Sequence, residues 1–218
     1  MQFQLAHQGL QWSDSYFILM GAWNTIRLAA CATLIGTVLG IFVGWLRSVS
    51  RTARFVTSPL IDILRSVPMV IQLILMNSFL AMAGFGTSPF WFGALALSAW
   101  MAAVTAEVAR SAFLAVPGQF RRSARSLGMT YPQEFIHISM PLAYRAGLTS
   151  WIGLVLSLIK DSSLAGVIGY VEFTRNAQNL MTRTHETWLL LFGIGLFYFV
   201  ICYPVSRYSR YLERKVLV

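Results

Sequence analysis

Lys160, Asp161, Ser162 and Ser163 stand side by side inside an apolar run that extends from about Ala143 to Val171. A full charge at the centre of a lipid-facing helix costs at least about 2.5–3.5 kcal/mol, so the cluster must face a partner or a wet cavity. Two readings follow. Lys160 and Asp161 pair with groups on neighbouring spans, or, with the hydroxyls of Ser162 and Ser163, they line or support a polar path across the membrane. Glu107 and Arg110 lie three residues apart, a spacing that places them on one helix face and predicts a structural ion pair. Asp62 and Arg65 repeat that spacing and predict an interfacial anchor. Glu172, Arg175 and Asn176 follow the fourth apolar run, at a path entrance or in a solvated loop. The chemistry available here is charge recognition. No catalytic residues and no metal site emerge, and Cys31 and Cys202, each inside an apolar run, read as small buried thiols with no disulfide framework. The chain has no Gly-Lys-Ser/Thr nucleotide loop, so any ATP must be hydrolysed by a partner.

The elements that position these residues follow from composition. Of 218 residues, 56% are hydrophobic and only 11% charged, which excludes a soluble globular domain. The net charge of +9 is parcelled out between apolar runs instead of forming one continuous solvated face, which argues against nucleic acid as a partner and for the lipid bilayer. A hydrocarbon core about 30 Å thick needs roughly 20 helical residues. That ruler predicts an all-α integral membrane protein, a single domain over 1–218, with five spans at about 18–47, 66–84, 90–112, 143–171 and 187–206. The turn-forming "GFGTSP" at 84–89 separates the second span from the third. Gly36, Gly40 and Gly44 recur every four residues and predict a smooth helix-packing stripe. Trp12, Trp23, Trp91 and Tyr203 fall near span ends, as in an interfacial belt. Arginine clusters after the first span, in the 119–141 insertion and at the end of the chain place those segments in the cytoplasm, hence N-terminus outside and C-terminus inside. The opening "MQFQLAHQGLQWSDSYF" lacks the basic start and short apolar core of a cleavable signal peptide.

The insertion is the polar exception. "QFRRSARSLG" at 119–128 predicts a short helix stopped by Gly128, and "QEFIHISMP" predicts a second short piece before Pro141 opens the fourth span. By itself such a loop is explained as a positive anchor. However, Arg122, Ser123, Ala124, Gly128, Ile138 and Pro141 match the spacing of a Glu-Ala-Ala, Gly, Ile, Leu-Pro pattern, with Arg122 in place of the Glu. "RSVPMVIQL" from Arg65, "AEVARSAFLAVP" from Ala106 and "KDSSLAGVIGYVEF" from Lys160 complete a series of four motifs in order. From about residue 20 to its end the chain resembles the membrane subunits of ATP-binding-cassette importers, in the polar amino-acid branch.

That resemblance implies a type I importer permease fold in a bacterial inner membrane, and a coupling loop that docks as a short helix on a cytoplasmic ATPase. It implies a second, homologous permease subunit, two ATPase subunits that hold ATP and magnesium, and an extracytoplasmic solute-binding protein. No cofactor is implied in this chain. Transport would proceed by alternating access. The Lys160–Ser163 cluster, with Glu172 on the outer side, would serve a zwitterionic amino acid, which needs both a cationic and an anionic complement. "RSVPMV" and "DSSL" lean towards glutamate or aspartate. Arg122 inverts the charge of the pattern's acid, so either the ATPase contact is made differently or the chain is the divergent half of a heterodimer, the reading favoured here. A rival class is an ATPase-independent channel or structural membrane subunit, for which the loop is only an anchor.

Overall fold

The computed structural model describes residues 9–86 and 88–216. Met1–Gln8, the start of the stretch read for a signal peptide, and Thr87 of the predicted turn lie outside the described residues. Nine α-helices and two short helical segments of other pitch account for the described secondary structure, with no strand among these residues.

α1 (Asp14–Val49) and α4 (Pro89–Ala115) pack along each other through the glycine stripe. A Cβ on Gly36 would lie 2.5 Å from Met101 Cβ, one on Gly40 2.5 Å from Thr105 Cβ, and one on Gly44 2.6 Å from the Ala106 carbonyl oxygen. In lipid, where no hydrophobic effect drives helices together, such backbone proximity supplies the attraction. Gly40→Leu has no room and is expected to destabilise the chain by about 3 kcal/mol, read as a lowered melting midpoint in detergent. An unchanged midpoint would refute the contact. Leu28 of α1, Leu97 and Met101 of α4, and Leu158 further along the chain are fully buried in the main core. Arg27, an exposed charge within α1, sits over the Phe90 ring at 4.3 Å, a cation–π attraction.

α2 (Arg51–Ser66) and α3 (Met69–Met82) are bent by 111° at Val67–Pro68. Pro68 has no N–H for the Leu64 carbonyl four residues earlier. The buried Gln72 takes its place: its Nε2 donates to the Leu64 and Val67 carbonyls, each at 2.8 Å. The predicted second span is thus regular for only 14 residues, about 21 Å of rise, and is entered through an amphipathic helix. Phe55, Val56, Leu60 and Ile63 of α2 stay exposed. Among the described residues four helices are long and apolar enough to cross a membrane, or five if the bent pair counts as one.

After α4 come α5 (Gly118–Ser126), α6 (Tyr131–Glu134), a π-helical turn (Phe135–Ser139) and α7 (Met140–Asp161). The expected break before Pro141 is absent, and the chain runs as one helix from Tyr131 to Asp161. The π-turn explains why: the Met140 N–H reaches back five residues to the Phe135 carbonyl, absorbing the register change just ahead of a proline that cannot donate. Within the predicted fourth span the α-helix gives way at Ser162 to a 3₁₀ segment (Ser162–Ile168) closed by Gly169 at φ +84°. α8 (Phe173–Thr184) and α9 (Thr187–Val216) follow.

Candidate functional site

The basic insertion forms a rigid bracket. At the end of α5, Gly128 takes φ +82°, the Met129 N–H bonds the Ala124 carbonyl at 3.1 Å, and the Gly128 N–H bonds the Arg125 carbonyl at 3.0 Å. This paired closure needs a left-handed residue, which is why glycine stands there. Ala124 is buried, whereas Arg122 and Ser123 are exposed and Ile138 is half-buried. Arg121 Nη2 donates to the Phe113 carbonyl at 2.6 Å and ties α5 to the end of α4. The rings of Phe113 and Phe135 stack at 5.7 Å. Glu134 is buried across the π-turn and accepts a hydrogen bond from the Ser139 hydroxyl. Phe120, Leu127 and Ile136 remain exposed along the bracket, an apolar face among arginines.

In the second cluster Lys160 is exposed and Asp161 half-buried, and neither makes an ion pair among the described residues. Arg145, the preceding charge on α7, is 15 residues away, roughly 22 Å by helical rise, so Lys160 lies deep along the span. The Ser162 hydroxyl donates to the Ile159 carbonyl and that of Ser163 to the Lys160 carbonyl, both at 2.7 Å. Both hydroxyls therefore stabilise the α-to-3₁₀ transition that holds Lys160 and Asp161 in place.

Glu172 departs from its expected exposure on a path or loop. It is fully buried and caps α8, its Oε1 accepting from the Arg175 N–H and its Oε2 from the Thr174 N–H, both at 2.6 Å. Burial pushes its carboxyl up from the ordinary glutamate range, against the lowering effect of these two bonds. Asn176 is likewise committed, since its Nδ2 donates to the Phe17 carbonyl of α1 at 2.6 Å. The Asn24 side chain bonds the Val171 carbonyl at 2.8 Å, and Arg183 pairs with the buried Asp14. This end of α1 and α8 is a structural clamp, and sequence reading missed its α1 half because the partners are about 150 residues apart.

The predicted ion pairs are also rearranged. Glu107 pairs with Arg47 of α1 at 2.5 Å and not with Arg110. Asp62 and Arg65, both exposed, make no ion pair among the described residues; an exposed pair gains little over its entropy cost. Arg47 was legible in principle, because it lies three residues beyond Gly44, on the face that the glycine stripe turns towards α4.

A helical membrane chain with a broken crossing, a rigid inserted bracket and unpaired charges deep along a span has the build of a permease. Residues 36–218 match the family of binding-protein-dependent transport system inner membrane components. The chain is 27% identical over 198 residues to the L-cystine transport system permease protein TcyB of Bacillus subtilis (strain 168), covering 90% of this chain and 85% of that one. It is 27% identical over 214 residues to the glutamate/aspartate import permease protein GltJ of Escherichia coli (strain K12), covering 92% and 87%. The crystal structure of an amino acid ABC transporter with histidines superposes with a TM-score of 0.82 at 27% identity, covering 93% of this chain and 95% of that one. The chain belongs to the binding-protein-dependent transport system inner membrane components. It is a multi-pass inner-membrane permease subunit of an ATP-binding-cassette importer, and ATP is hydrolysed in a separate subunit. The rival reading of an ATPase-independent channel is thereby set aside.

Proposed function

We propose that this subunit imports a polar amino acid, with glutamate or aspartate favoured, in a complex with a different, homologous permease chain, two ATPase subunits carrying ATP and magnesium, and an extracytoplasmic solute-binding protein. The N-terminus of α1 faces outside and α9 ends in the cytoplasm, with five crossings and residues 119–141 as the coupling loop. Ser123, Ala124, Gly128, Ile138 and Pro141 hold the bracket that docks on the ATPase, and exposed Arg122 presents a cation to it. Likeness to the glutamate/aspartate permease and to the solved amino acid transporter supports the substrate class.

One observation carries the coupling mechanism. The helix that begins in the bracket at Tyr131 continues without a break to Lys160 and Asp161, about 45 Å by helical rise. A push on the bracket by closing ATPases therefore reaches the charged cluster through a stiff rod, and alternating access follows as a tilt of that rod against its neighbours. The bracket is testable through Gly128→Pro, which locks φ near −65° where +82° is required and deletes the N–H bonded to Arg125. The tagged chain is purified from its native membranes, and the co-purifying ATPase is quantified. Recovery is expected to fall more than tenfold in the variant; equal recovery from folded wild type and variant would overturn the docking assignment.

A further inference from the structure

Beside the Arg47–Glu107 pair, at the junction of α1, α2 and α4, lies a cavity of about 420 Å³ that neither the coupling bracket nor the charged cluster of α7 uses. It is lined by Arg47, Arg51, Arg54 and Arg110, with Ser50 and Leu114 among its other walls, and no acid lines it. Arg47 is 5% exposed, and its Nε has no hydrogen-bond partner; the Nε of Arg110 is buried and equally unpartnered. A buried guanidinium N–H left unsatisfied is costly, and four guanidinium groups around one space repel one another unless an anion joins them. Arg47 uses one N–H of Nη1 on Glu107 and one of Nη2 on the Ser58 hydroxyl, and its Nε is left without a partner. Arg51, Arg54 and Arg110 make no ion pair among the described residues.

We propose that this cavity binds the phosphodiester of an anionic phospholipid. Guanidinium forks match phosphate oxygens in geometry and charge, and the size of the cavity admits a headgroup phosphate. Its setting favours a lipid over a free phosphate. The cavity lies at the C-terminal end of α1, and α2, which carries Arg51 and Arg54, also presents the exposed apolar side chains of Phe55, Val56, Leu60 and Ile63. A helix with that composition lies in the membrane interface, where acyl chains can cover the apolar groups while the arginines hold the headgroup. The occupied site would brace the α1–α2–α4 junction, and so the base of the 111° bend between α2 and α3.

The test uses the full chain in detergent, with phosphatidylglycerol, phosphatidylcholine and inorganic phosphate as separate probes and bound lipid read by native mass spectrometry. The variant is Arg51→Gln/Arg54→Gln/Arg110→Gln, which spares Arg47 and its ion pair. Wild type is expected to retain phosphatidylglycerol in preference to phosphatidylcholine, and the triple variant to bind it on the order of 100-fold more weakly while the two proteins melt at the same temperature once delipidated, each cation near an anionic surface contributing somewhat under tenfold. Equal retention of phosphatidylglycerol by wild type and variant would overturn the proposal, as would equal binding of the two lipids. Displacement of phosphatidylglycerol by millimolar inorganic phosphate would assign the site to free phosphate and refute the lipid. If the triple variant proves unstable, Arg54→Gln alone, on an exposed position, gives the same comparison with a smaller expected loss.

Discussion

Glu107→Leu is expected to cost about 3 kcal/mol of stability, because it leaves the almost fully buried Arg47 guanidinium without its carboxylate. The Arg47 side chain is 3% exposed and that of Glu107 25%, so the value falls at the lower end of the roughly 3–5 kcal/mol range for breaking a buried pair. Most of the loss comes from the uncompensated cation, not from the attraction forfeited. The double variant Arg47→Met/Glu107→Leu is therefore expected to recover most of the stability, since methionine fills similar volume without a charge. Ser58 does not lose its hydrogen bonding in that variant, as its hydroxyl also donates to the Arg54 carbonyl at 2.8 Å. Thermal unfolding of the four proteins in one detergent closes the cycle. A double variant no more stable than Glu107→Leu would show that the pair contributes by some route other than charge compensation.

The largest effect on transport is expected at Lys160. On the proposed path its ammonium meets the carboxylate of the substrate in a space poor in water, where deleting one partner of a charge pair costs roughly 2–5 kcal/mol. Lys160→Met should lower uptake in reconstituted vesicles by about 100-fold while leaving ATPase co-purification unchanged. The exposed position of Lys160 and its lack of an ion pair make a folding defect an unsuitable explanation for such a loss. Asp161→Asn separates recognition of the substrate ammonium from that of its carboxylate: an acidic substrate should lose less through Asp161 than through Lys160. Wild-type uptake by Lys160→Met would remove the α7 cluster from the path and leave the coupling bracket untouched as an assignment.

Some of this was legible before any fold was known because it depends on local periodicity. Glycines every four residues, a glycine where a helix must stop in the left-handed region, and apolar runs as long as a bilayer is thick each state their consequence within a dozen or two residues. The chemical character of the Lys160–Ser163 cluster follows in the same way, since a charge in an apolar run is conspicuous wherever that run ends up. The details that reversed expectation are of two kinds: a residue that answers to a distant one, and a local cap or turn that composition does not announce. Glu107 had Arg110 within reach on its own helix but pairs with Arg47, 60 residues upstream, because close approach along the glycine stripe brings a buried cation that needs it more. Glu172 looked free for solute or partner until α8 placed its first N–H groups around it. Pro141 looked like a start until a π-turn carried the helix past it. The sequence by itself determined the all-helical apolar build, the glycine stripe of close contact and the presence of a basic insertion stopped by Gly128. Only the tertiary structure decided which polar group satisfies which, because in a chain with so few charges each buried one takes the best partner that packing delivers, and packing is not local.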